Sequence, residues 1–148
     1  MTLHELMASA RALPSVPPGA AEAYARRAEA MAATVSARML AMDAVQRLIG
    51  PNNLHLMTDN HRNHARYMSA LLQDFDPESL VRTVAWAVSS YRAHGFVPDY
   101  WTHQIPAWLA ALEEHLDHED RRAVEPVYRW LEEHMPHFFA LTGQGWTD

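Results

Sequence analysis

The chain has 148 residues, enough for one domain with a closed core, and it holds no cysteine. Disulfide frameworks and thiolate metal sites are thereby excluded, and a reducing, cytoplasmic location is expected. All 12 basic residues are arginine, which removes Schiff-base and P-loop lysine chemistry, and a formal charge of −6 argues against nucleic acid as a partner.

Thr2 to Ala12 suits a short helix, cut by the linker Pro14-Ser15-Val16-Pro17-Pro18-Gly19. From Ala20 to Leu48 there is no proline or glycine, and Ala, Arg, Met and Glu dominate. Those residues are strong helix formers, so one long helix of about 44 Å is expected, ending at Gly50-Pro51. Thr58 or Asp59 can cap the next helix, running to about Gln73. Asp76-Pro77-Glu78 places a cap, an N1 proline and an early acid in order, opening a helix that stops at His94-Gly95. Asp99 opens another to about Leu116, and Asp117 a last one to about Leu141, with Pro106 and Pro126 inside them. No segment alternates with period two. The expected fold is all-α: residues 1–19 form an N-terminal extension and linker, and 20–148 form one compact bundle of about five helices with a long first helix. No apolar run reaches the length of a membrane span, and the N-terminus has no signal-peptide core.

Helical projection at 100° per residue puts several of the ten histidines on apolar faces. His61 and His64 fall within the stripe Met57, Met68, Leu71, Leu72 and Phe75. His134 lies within Val124, Val127, Leu131, Met135 and Phe138, with His137 at the margin and Trp130 at the edge. His115 sits near Trp108 on the rim of a third stripe. The pairs His61/His64, His115/His118 and His134/His137 are each three residues apart, so each pair shares one helix face.

Such groups suit a ligand pocket lined by His61, His64, Trp108, Trp130 and His134. They equally suit a metal or tetrapyrrole held by His61, His64, His134 or His137. A plainer alternative is that each buried imidazole satisfies itself on a carbonyl or a facing side chain. Repeated Glu-x-x-His, His-Glu-x-x-His and His-x-x-x-His spacings are absent, as is any glycine elbow around Ser36, Ser69, Ser89 or Ser90. No catalytic residue is indicated, and a non-enzymatic sensory or interaction module is expected. Protonating all ten histidines would reverse the sign of the net charge, so a pH-responsive surface is conceivable.

Two faces suit interfaces. The rear of the long helix carries Ala33, Ala37, Leu40, Ala41, Ala44 and Leu48, a seam for a homodimer or a second packing face within the domain. Trp86 points away from its helix's apolar stripe, so either the N-terminal segment covers it or it anchors a protein partner.

From Gln46 to about Leu131 the chain resembles the helical cap module beside the cobalamin-binding domain of some bacterial regulators. The residues concerned are Arg47-Leu48-Ile49-Gly50, Asp59-Asn60-His61 with His64 and Tyr67-Met68, Asp76-Pro77 before Ala85-Trp86-Ala87, Tyr91-Arg92-Ala93-His94-Gly95-Phe96, and Trp108-Leu109 with Leu112. In that family the helices cap a cobalamin or relay a signal from it. The light-sensing caps carry a tryptophan ten residues before Glu-His, a spacing that neither Trp101 nor Trp108 makes with Glu114-His115. The bundle is also broadly similar to the sensor globins of stress-signalling scaffolds. Both resemblances imply a regulatory or sensory module.

Overall fold

A computed structural model describes residues 1–143, and every regular element among them is helical. The helices are α1 (Leu3–Arg11), α2 (Pro18–Leu40), α3 (Val45–Ile49), α4 (Leu54–Gln73), α5 (Pro77–Ala93), α6 (Pro98–His115) and α7 (His118–Gly143). The all-α class holds, but the described residues form seven helices rather than about five and a short N-terminal one. No helix among these residues is long and apolar enough to cross a membrane.

Local chemistry accounts for most of the boundaries. The Thr2 hydroxyl accepts from the Glu5 amide at 3.1 Å, capping α1. Asp76 accepts from the amides of Glu78 and Ser79 ahead of the N1 proline of α5. Asp117 accepts from the Asp120 amide at the start of α7. Helix α7 continues through Pro126 and Pro136.

The long first helix is the main correction. It stops at Leu40, and the chain turns through Ala41–Ala44 before α3. No proline or glycine breaks it there; burial does. Val45, Leu48 and Ile49 are all inside the core, and a straight continuation would carry that apolar trio away from it. Tertiary packing thus overrides a favourable local propensity. Helix α3 is then tied down, its Leu48 carbonyl accepting from the Val97 amide at 2.9 Å. Asn53 acts as a stitch rather than a cap: its amide donates to the carbonyls of Ile49 and His94, both at 2.7 Å.

Helix α2 is the central element, packed on α4, α6 and α7. Helix α1 lies against α5, and its Leu6, Met7 and Ala10 belong to the same buried core as the rest. Trp86 on α5 is nonetheless 64% exposed, so α1 packs on another face and does not cover it. The rear stripe is partly dismantled by the turn. Ala33, Ala37, Leu40 and Ala41 stay exposed, Ala44 is half-buried, and Leu48 is buried on α3.

Candidate functional site

Helix α4 turns His61, Ala65 and Met68 into the core at helical spacing, and His61 is fully buried. Its Nδ1 lies 2.8 Å from Ser36 Oγ on α2 and its Nε2 2.9 Å from Tyr100 Oη on α6. Tyr100 is also fully buried, so its hydroxyl proton must go to His61 Nε2. His61 therefore carries its own proton on Nδ1 and donates it to Ser36.

One turn on, His64 Nε2 lies 2.8 Å from Tyr128 Oη, which lies 2.6 Å from Tyr24 Oη. Both tyrosines are buried. Only one proton order satisfies the chain: Tyr24 donates to Tyr128, and Tyr128 donates to His64 Nε2. The reverse order would strand the Tyr24 proton in the core. Both histidines are thus neutral and protonated at Nδ1.

Electrostatics agrees with that accounting. Burial lowers His61 from its usual 6.5 to about 4. Burial lowers His64 to about 3, and the neighbouring charge of a protonated His61 adds to the effect. Burial likewise raises Tyr24, Tyr100 and Tyr128, so all three stay protonated phenols.

His64 and Trp108, with ring centroids 4.5 Å apart, share the wall of a partly open cavity of about 200 Å³ between α4, α5, α6 and α7. Tyr67, Met68, Leu80, Val84, Tyr91, Trp101, Gln104, Tyr128 and Leu131 complete most of its lining, and exposed Trp86 stands on its border. Trp108 is fully buried, and its Nε1–H, closed off from open space, has no hydrogen-bond acceptor among the described residues.

Of the five residues expected around one ligand, His64 and Trp108 line the cavity. His61 sits behind them, with its ring 6.5 Å from that of Trp108. Trp130 and His134 are not in the lining; they form a separate clasp with α1. Trp130 Nε1 donates to Ser9 Oγ at 3.0 Å, Ser9 donates to His134 Nε2 at 3.2 Å, and His134 Nδ1 donates to the Trp130 carbonyl at 2.8 Å. Every polar atom in that clasp has a partner, which is the plainer alternative for His134. His137 is half-buried beside it, with ring centroids 6.0 Å apart. His115 pairs with Thr34 Oγ1 at 2.7 Å. Among the described residues, no three His, Asp or Glu side chains converge so as to hold a metal ion.

Sequence reasoning missed Tyr24, Tyr100, Tyr128 and Ser36. A usable signal existed for Tyr128, which falls on the apolar face of α7 between Val124 and Leu131. A tyrosine on such a face needs a partner for its hydroxyl, and histidines on another inward face are natural acceptors.

No protein-family model, no curated protein and no solved structure matches this chain. The chemistry of the site rests on its own residues.

Proposed function

We propose that this protein is a non-enzymatic sensory or regulatory module that binds a small ligand in the cavity between α4, α5, α6 and α7. One observation carries the proposal: a largely apolar cavity of about 200 Å³ whose walls include a hydrogen-bonded histidine and the buried polar side chain of Gln104. Pockets that take small molecules combine apolar walls with a few fixed polar groups in this way. His61 and His64 are neutral, held by tyrosines, and far less basic than a general base working near pH 7. The resemblance to cap modules of bacterial regulators points the same way.

A ligand that binds only the folded state stabilises it, by about 2.7 kcal/mol at a hundredfold excess over Kd. Thermal unfolding of the full chain against a panel of small aromatic and aliphatic compounds is therefore the direct test. Hits are expected, and Ala87→Phe, which puts a ring into the cavity wall, should abolish them while leaving the helical signal intact. The rival is a metal or tetrapyrrole held by the same histidines. Stoichiometric metal, or a Soret-type band in protein purified without chelator, would overturn the proposal in its favour.

A further inference from the structure

Apart from tyrosines and tryptophans, two polar side chains are buried among the described residues, His61 and Gln104. Both ring nitrogens of His61 are bonded, whereas no described residue bonds the carboxamide of Gln104, a side chain only 5% exposed. A buried amide ordinarily finds partners for its NH2 and its carbonyl. Neither of those atoms is among the unpartnered ones closed off from open space. Gln104 lines the cavity together with Trp101, Ile105 and Trp108, residues spaced three and four apart on one face of α6, so its unpartnered carboxamide opens there. Other polar side chains of the lining are already served. His64, Tyr67 and Tyr128 have hydrogen-bond partners, and Asn63, Thr83 and Tyr91 keep partial exposure.

A carboxamide presents a donor and an acceptor side by side, so its best complement is a second amide with the same pair reversed. A ligand that fills the space beside Gln104 must supply both, or leave one of its groups without a partner. Charge does not serve here. No arginine, aspartate or glutamate lines the cavity, so neither an anion nor a cation meets a counter-charge. Size and wall composition define the rest. An apolar cavity of roughly 150 Å³ accommodates benzene, so this one, about 200 Å³ and partly open, holds a single ring with a small substituent. Trp86, Tyr91, Trp101 and Trp108 belong to its lining, and aromatic walls favour an aromatic guest.

We propose that the cavity binds an uncharged, single-ring aromatic carboxamide whose amide pairs with that of Gln104. The Gln104 NH2 donates to the ligand's carbonyl, and the Gln104 carbonyl accepts from the ligand's N–H. This rests on the ligand-binding function proposed above and specifies its ligand class.

The test uses the full chain and three probes: benzamide, acetophenone (the same shape with a methyl in place of the NH2) and benzoate (charged at neutral pH). Affinities are measured by calorimetry for the wild type and for Gln104→Met, which keeps the volume and removes the amide. Benzamide is expected to lose about 30-fold in Gln104→Met, the effect of two net hydrogen bonds, and acetophenone about fivefold, the effect of one. Benzoate should bind more weakly than benzamide to the wild type. The side-chain NH2 signals of Gln104, assigned through its backbone amide, should move on adding benzamide and show through-space contacts to the ligand's amide protons. If Gln104→Met does not fold, those signals decide. Equal losses for benzamide and acetophenone, an unmoved Gln104 signal, or benzoate binding as tightly as benzamide would overturn the inference. Should other compounds bind, blocked by Ala87→Phe, while benzamide fails, the ligand class is wrong and the sensory proposal survives. Should no compound bind in a way that Ala87→Phe blocks, both fall.

Discussion

His61 is buried and His64 half-buried, neither with a carboxylate partner among the described residues, and this makes folding sensitive to acid. His61 and His64 titrate at about 4 and about 3 in the folded chain, against roughly 6.5 when unfolded. Below pH 6.5 the unfolded chain takes up protons that the folded chain refuses. Their contribution is therefore complete above about pH 6.5 and declines as pH falls towards the folded values. Each ring contributes a slope of ~1.4 kcal/mol per pH unit in that window. Urea midpoints measured from pH 8 to pH 5 should be level at first and then drop. A level profile throughout would contradict the desolvation of both rings. Tyr128 is the other sensitive residue, since its hydroxyl serves Tyr24 and His64 together. Tyr128→Phe strands both and is expected to cost about 2–4 kcal/mol in urea unfolding. Tyr24→Phe added to it should cost less than it does alone, because the group it removes is already without a partner. Phase patterning showed that His61 and His64 face inward. It could not show what they meet, because Ser36, Tyr100 and Tyr128 lie 25, 39 and 64 residues away from them.

Helix ends were legible wherever side chains cap them, as at Thr2 and Asp76, because the cap and the amides it binds are sequence neighbours. The turn after Leu40 was not, because its cause is the burial of Val45, Leu48 and Ile49 against distant elements. The start of α4 was missed for a similar reason. Asn53 bonds Ile49 and His94, and the His94 carbonyl belongs to the turn beyond α5. At that junction Gly50 has φ +82°, and a Cβ built on it would lie 3.1 Å from the Gly95 carbonyl oxygen. Both the left-handed backbone and the close approach of two turns require glycine there. Gly50→Ala is expected to lower stability by about 1–3 kcal/mol. The measurement is the unfolding midpoint against a control, Gly19→Ala, where nothing lies within 4 Å of the added methyl. Equal midpoints for the two variants would mean that the Gly50–Gly95 contact carries no strain.

At the scale of the whole molecule, α2 is buried along one side and bare along the other. Tyr24, Met31, Val35 and Met39 are fully enclosed by α4, α6 and α7. Ala33, Ala37 and Ala41 are exposed, with Leu40 at 47%. Small side chains let a second helix approach closely, and isologous pairing of two copies is the commonest oligomer geometry. A homodimer through this face is therefore the assembly we propose. Ala37→Glu and Ala41→Arg separate it from the alternative that the face belongs to the domain's own core. Both positions are exposed, so each variant should keep its helical signal and an unfolding midpoint close to wild type, with surface changes usually within about 0.5 kcal/mol. In sedimentation, each variant should run at half the wild-type mass, because either change buries an unpaired charge in the seam. Loss of the fold in either variant would mean that the face is packed within one chain. A wild-type chain that sediments as a monomer at high concentration removes the dimer, and the bare side of α2 is then ordinary solvent-facing surface.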